Sequence, residues 1–352
     1  MTEKPTQAIG IDLFSGAGGM SLGARQVGID VALAVENCPR ACETYRKNFP
    51  TTELFEGDIR KLKDLPEKPP GAFSILFGGP PCQGFSTSNQ RNRNALNPNN
   101  WLFSEFVRIL ELWSPDFFVM ENVKGIVETE GGRFIKLARV SCEKLGYKTS
   151  FGLLDAADFG VPQKRTRAFL VGTRDSIEIG LPTGAKLKKL TVRNAINDLP
   201  VLGNGSNVDL LPYGKKATSN YAKMLRNGLS EVTGNLVTVN AKYIIERYSH
   251  VPQGGNWKDI PAKLMKNYTD RTRCHTGIYR RLNSNEPSVV IGNFRKNMLI
   301  HPEHNRGLSV REAARLQSIP DEFSFYGSIG FQQQQVGNMV PPFLASTSRR
   351  KK

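Results

Sequence analysis

Acidic residues, histidines and paired cysteines are scarce in this 352-residue chain, and each shortage excludes something. The five cysteines (Cys38, Cys42, Cys82, Cys142, Cys274) form no CxxC pair, and the four histidines, at 250, 275, 301 and 304, lie away from most of them. Neither a disulfide framework nor a structural zinc site is expected, and no metal is. No apolar run approaches the ~20 residues that cross a bilayer. The opening MTEKPTQAIG lacks the basic stretch and apolar core of a secretory signal, so a cytoplasmic protein is expected. The scarcity of acid is uneven. Positions 1–190 hold 25 basic and 21 acidic residues, a net of +4, and positions 191–352 hold 23 and 11, a net of +12. Such a skew suits a surface that follows a phosphate backbone, although a generally basic solvated protein has it too.

What is present begins with alternation. AIGIDLF (8–14), DVALAVE (30–36), ELFEGDI (53–59), FSILFGG (73–79) and DFFVMEN (116–122) read as strands, and two more are expected around 147–154 and 167–173. Helical stretches separate them, among them WLFSEFVRILELW (101–113) and one from roughly 132 to 145. This order predicts a doubly wound α/β sheet, with ligands beyond the carboxyl ends of its strands. From about 185 the pattern weakens into Gly-, Asn-, Ser- and Lys-rich chain, a second, irregular domain. Regularity returns at LSVREAARLQSI (308–319), a helix with Ser309 as N-cap.

Five constellations carry chemistry. DLFSGAGGMSLG (12–23) is a strand, a glycine turn and a helix start. A dinucleotide fingerprint from Gly16 would need glycine at position 21, where Ser21 stands, so a nucleoside-type ligand fits better than a pyrophosphate. Glu36, ending the next strand, is placed to accept from ribose hydroxyls, and Asp58 from an adenine amino group. FGGPPCQGFS (77–86) sets Cys82 on a stiff loop outside any apolar run, which suits a presented nucleophile better than a small buried hydrophobe. MENVKG (120–125) brings Glu121 and Asn122 to another strand end, as proton donor or acceptor or as a solvated cap. In FGVPQKRTRAFLVG (159–172), an extended QKRTR would put Gln163, Arg165 and Arg167 on one face. Its arginines could bind phosphate, hold Glu121, stabilise an anion, or simply decorate an edge strand. QQVGNMVPP (334–342) reads as a turn.

In this order the motifs resemble those of the DNA (cytosine-5)-methyltransferases of bacterial restriction-modification type. DLFSGAGG is similar to their cofactor loop and GGPPCQGFS to their nucleophile loop. MENV, QKRTR, RLQSIPD and GNMVPP follow as their later motifs do. The resemblance implies a Rossmann-like S-adenosylmethionine-dependent sheet over 1–185, a smaller target-recognition domain over 186–308, and a return to the catalytic domain with a basic tail over 309–352. It implies S-adenosylmethionine lined by Phe14, Gly16, Gly18 and Gly19, with Glu36 on its ribose, Asp58 and Ile59 on its adenine, and Pro80 and Asn338 completing the pocket. Cys82, Glu121, Arg165 and Arg167 would surround a cytosine flipped out of double-stranded DNA. Arg165 would hold the base carbonyl and Glu121, and Arg167 would support the loop or bind phosphate. Arg271, Arg273, His275, Arg280 and Arg281, the densest basic cluster, are the candidate DNA contacts. A monomer is expected, with a restriction endonuclease acting separately. A tRNA cytosine methyltransferase on the same fold is the nearest alternative. A nicotinamide oxidoreductase or a non-catalytic DNA-binding protein would be further ones. The family usually continues past the PP turn into a longer helix, whereas here FLAS leads into STSRRKK.

Overall fold

The computed structural model describes residues 7–81, 102–128, 132–174, 179–184, 188–266, 268, 276–292, 294–296 and 298–346. They form two compact units, the first of residues 1–159, 166–186 and 342–352 and the second of 160–165 and 187–341.

The first unit is built on seven strands: β1 (Ala8–Leu13), β2 (Ile29–Glu36), β3 (Glu53–Glu56), β4 (Phe73–Gly78), β5 (Phe117–Val123), β6 (Lys148–Asp155) and β7 (Thr166–Thr173). Their order in the sheet is β3-β2-β1-β4-β5-β7-β6. The first five are parallel, and β7 lies antiparallel to both β5 and β6. All six residues of β1 are buried, as its apolar run, broken by Asp12, requires of a strand covered on both faces. Helices α1 (Gly19–Gln26), α2 (Pro39–Asn48), α3 (Leu102–Trp113), α4 (Gly125–Glu128) and α5 (Arg133–Lys144) connect the strands. In α3 the apolar residues recur at helical spacing, and Phe103, Phe106, Ile109, Leu110 and Trp113 are all buried. At ~1.5–3 kcal/mol for each fully buried large apolar side chain, that face fastens α3 to the core beside Phe118 and Leu170. The α/β expectation therefore holds, and the reversed β7 is the addition.

The second unit has short elements: α6 (Val192–Ile196), α7 (Asn220–Arg226), α8 (Lys242–Ser249), α9 (Val310–Leu316), α10 (Ile329–Asn338), and a two-stranded ribbon of β8 (Leu211–Pro212) and β9 (Glu231–Val232). Ser309 caps α9 as expected, its hydroxyl accepting from the Glu312 amide while Glu312 accepts from the Ser309 amide. QQVGNMVPP is only partly a turn, because α10 runs through Asn338 and the chain leaves the helix at Met339. Residues 160–165 and 309–341 cluster with the second unit, and only α11 (Pro342–Ala345) returns to pack on α1 in the first. Among the described residues no helix is long and apolar enough to cross a membrane.

Candidate active site

The order of strands reverses between β1 and β4, the position at which open α/β sheets bind ligands beyond the carboxyl ends of their strands. After β1, Phe14 takes a left-handed φ of 60°, and Gly16 and Gly18 follow at 56° and 96°. Gly18 is required twice over. Its φ is one that side chains rarely adopt, and a Cβ there would lie 2.3 Å from the Phe49 ring. Since no side chain fits at Gly18, the start of α1 is held from behind. Buried Asp12 accepts from the Ser21 amide at 3.2 Å and hydroxyl at 2.6 Å, and that hydroxyl lies 2.7 Å from the Tyr45 hydroxyl. Burial pushes the Asp12 carboxyl up to about 7.

Glu36 ends β2 and organises two loops at once. One carboxylate oxygen accepts from the Gly16 amide at 2.8 Å, and the other from the amides of Asn37 and Cys38 at 2.9 and 2.8 Å. The Gly16 N–H is thus directed at a carboxylate of the protein, not offered to a phosphate, which disfavours a dinucleotide and suits a ribose. Asp58 follows β3 and is paired with Arg60, whose guanidinium and amide hold its carboxyl down at about 2. Ile59 beside it is buried, as is Gly19 at the start of α1. This set of a positive-φ loop, a strand-end acid and a second acid fits S-adenosylmethionine.

A second cluster lies at the ends of β4, β5 and β7. A Cβ on Gly78 would fall 2.2 Å from the Leu13 carbonyl oxygen, and one on Gly79 would fall 3.0 Å from Glu121 Oε2. Only glycines let the loop after β4 pass this close. Asn122 pins that loop, donating through Nδ2 to the Pro80 carbonyl at 2.9 Å. Glu121 is buried, and Arg167 Nε donates to its Oε1 at 2.9 Å. The sheet register explains the pair. Glu121 sits opposite Phe169 and Val123 opposite Arg167, so Glu121 and Arg167 are diagonal neighbours on one face. Burial lowers the Arg167 pKa, while Glu121 opposes the shift. Cys82 lies outside the described residues.

The expectation gave Glu121 to Arg165; the structure puts Arg167 on it. QKRTR is not extended throughout, because Gln163 makes an isolated bridge to Ser288 and β7 begins at Thr166. Arg165 belongs to the second unit, where Nη1 donates to the Ile291 carbonyl at 2.9 Å and Nη2 to those of Gly337 and Met339 at 3.0 and 3.2 Å. Asn338, between the last two, is exposed. Arg281 is a correction. It is buried and donates to the carbonyls of Tyr248, Val251, His301 and His304 and to the Asn305 side chain, so it braces the fold and is no surface contact. Arg280 is partly exposed, while Arg271, Arg273 and His275 lie outside the described residues. Sequence reasoning missed the Asp12–Ser21–Tyr45 chain. Its one signal was a charged residue inside an otherwise apolar strand.

Comparison with known proteins agrees with this geometry. The chain is 41% identical over 340 residues to Type II methyltransferase M1.HphI of Haemophilus parahaemolyticus, covering 95% of this chain and 84% of that protein. It is 32% identical to Type II methyltransferase M.DdeI of Desulfomicrobium norvegicum, covering 95% and 86%. A solved structure described as a DNA modification methyltransferase encoded within an E. coli prophage superposes with a TM-score of 0.76, at 28% identity over 97% of each chain. The C-5 cytosine-specific DNA methylase family matches residues 9–351, so the chain belongs to that family and is an S-adenosylmethionine-dependent DNA (cytosine-5)-methyltransferase.

Proposed function

We propose that the enzyme methylates carbon 5 of a cytosine flipped out of a specific double-stranded DNA sequence, through a covalent bond to Cys82. The observation that carries the residue assignment is the Arg167–Glu121 ion pair, set against the glycine loop that leads into PPC. Carbon 5 of cytosine is too weak a nucleophile by itself. The Cys82 thiolate adds to carbon 6, and the ring becomes an enamine. Glu121 protonates or hydrogen-bonds ring nitrogen 3 and the amino group, so that charge does not accumulate on the base. Arg167 holds that carboxylate in place and donates to the base carbonyl. Bound S-adenosylmethionine supplies an electrophilic methyl group on a sulfonium. Once carbon 5 is methylated, its proton passes to water, the carbon 6–sulfur bond breaks, and the thiolate returns to Cys82.

Phe14, Gly16, Gly18, Gly19, Glu36, Asp58, Ile59, Pro80 and Asn338 are the proposed cofactor contacts. Attack from above the ring requires an unstacked base, which costs a few kcal/mol, roughly. Phosphate contacts by Arg271, Arg273 and Arg280 would offset that cost. We place the enzyme in the cytoplasm as a monomer, with a separate endonuclease of the same specificity. The match to the C-5 cytosine-specific DNA methylase family and the Type II methyltransferase relatives favour DNA over the tRNA alternative. A duplex carrying 5-fluorocytosine tests the mechanism, since fluorine cannot leave as a proton. Active enzyme should form a covalent adduct that Cys82→Ser abolishes, and methyl transfer to tRNA but not to duplex DNA would overturn the substrate.

A further inference from the structure

We infer that Arg165 is a positioning residue for Asn338, fixing the backbone on both sides of that side chain. The inference rests on the proposed cofactor role of Asn338.

The need for such a residue arises at the end of α10. The last carbonyls of a helix have no partner within it. Many helices satisfy them with a glycine in the left-handed region just past the end. Here Met339 follows instead, with φ −58° and ψ 139°, and the chain departs extended. Donors must come from elsewhere. Gln317 Nε2 donates to the Val336 carbonyl, and Arg165 Nη2 donates to those of Gly337 and Met339. A cation at a helix carboxyl end is also favoured by the helix dipole.

The other half of the guanidinium anchors the clamp. Nη1 donates to the Ile291 carbonyl, while the Ile291 amide donates to Gln163 Oε1 at 2.9 Å. Gln163 Nε2 in turn donates to the Leu316 carbonyl at the end of α9. Gly337 packs directly on this segment, since a Cβ there would lie 2.2 Å from the Gly292 carbonyl oxygen. Gln163 and Arg165, both within QKRTR, therefore lock the ends of α9 and α10 to residues 291–292. Arg165 is 2% exposed, and Asn338 is the exposed residue at the end of α10. Shortening the arginine would leave buried carbonyls short of donors and loosen the turn that presents Asn338.

The test is calorimetric titration of the full-length protein with S-adenosylhomocysteine, comparing wild type, Arg165→Lys, Asn338→Ala and the double variant. Arg165→Met, which keeps the apolar stem, is the second variant should the lysine fail to fold. Arg165→Lys should weaken binding by about tenfold, the scale of a lost charged hydrogen bond. The double variant should bind no more weakly than Asn338→Ala alone. In turnover, KM for the methyl donor should rise by more than kcat falls. Arg281→Lys supplies the structural control. It also removes bonds from a buried guanidinium to carbonyls, so it should lower the melting temperature while leaving S-adenosylhomocysteine affinity unchanged.

Independent effects of Arg165→Lys and Asn338→Ala, unchanged affinity in Arg165→Lys, or an equal loss in Arg281→Lys would each overturn the inference. No binding of S-adenosylhomocysteine by the wild type would instead sink the cofactor reading on which it rests.

Discussion

The two units meet one requirement, that buried backbone carbonyls find donors, by different means. In the first, seven strands satisfy one another, and the proposed functional side chains sit near strand ends and on the adjoining loops. The second has short helices and much irregular chain, and arginines supply donors that a ladder would otherwise provide. Arg306 donates to the carbonyls of Leu202 and Gly307, and Arg311 to those of Thr233, Pro320 and Phe323. Arg165, Arg281 and Arg315 do the same elsewhere in the unit. All five are buried. The lesson concerns charge. Part of the basic excess of the second half is internal bracing, so net charge overstates the surface available to phosphate.

The largest expected effect attacks that bracing. Arg315 bonds both Asp198 and Asp321, each buried, so Arg315→Met takes the guanidinium from Asp198 and leaves Asp321 with the Tyr213 hydroxyl and the more distant Arg311. A loss of ~3–5 kcal/mol, typical of a broken buried ion pair, should appear in urea unfolding; a loss near zero would mean the arginines are not what holds the second unit. Next comes Arg167→Met in the first unit. Removal of a donor at a developing charge lowers kcat by roughly 100-fold, to be read as methyl incorporation into DNA with cofactor affinity retained.

Acid should then separate the units by sign. Burial depresses His301 to about 4, and Arg306 and His301 hold Glu312 at about 2 against the cost of its burial. Both folded values lie below the ordinary ones of 6.5 and 4.5, so the unfolded chain takes up protons first. Their contributions are lost as pH falls, from 6.5 toward 4 for His301 and from 4.5 toward 2 for Glu312. Asp12 works the other way. Its folded value of about 7 lies above the ordinary 3.8, so its burial costs stability as pH rises through that window. Amide exchange should therefore show α9 losing protection at pH 5 relative to pH 7, with β1 holding or gaining it. His301→Gln should remove the upper step for α9. The smallest effect is Glu56→Gln, which breaks an exposed pair with Arg46 and should shift stability by less than ~1 kcal/mol.

Strands β1, β2, β4 and β5 were legible because each is a short, largely apolar run followed by a loop bearing glycine or proline. α9 was legible because Ser309 and Glu312 write a capping box three residues apart. The division of labour between Arg165 and Arg167 was not. Alternation puts both on one face only if the chain is extended through both, and nothing local announces that β7 begins at Thr166. Arg281 misled for a related reason, since an arginine near other arginines looks like surface until the carbonyls that surround it are seen.

By itself, then, the chain determined the α/β sheet and the order of the motifs, from which the chemistry of Cys82, Glu121 and an arginine is proposed. These follow from periodicity, turn residues and residue types, which are local properties. Only the tertiary structure decided which arginine meets Glu121 and which ones brace backbone carbonyls. A guanidinium takes whichever acceptors the fold brings within reach, and those lie more than a hundred residues away for Arg165 but across one antiparallel strand pair for Arg167.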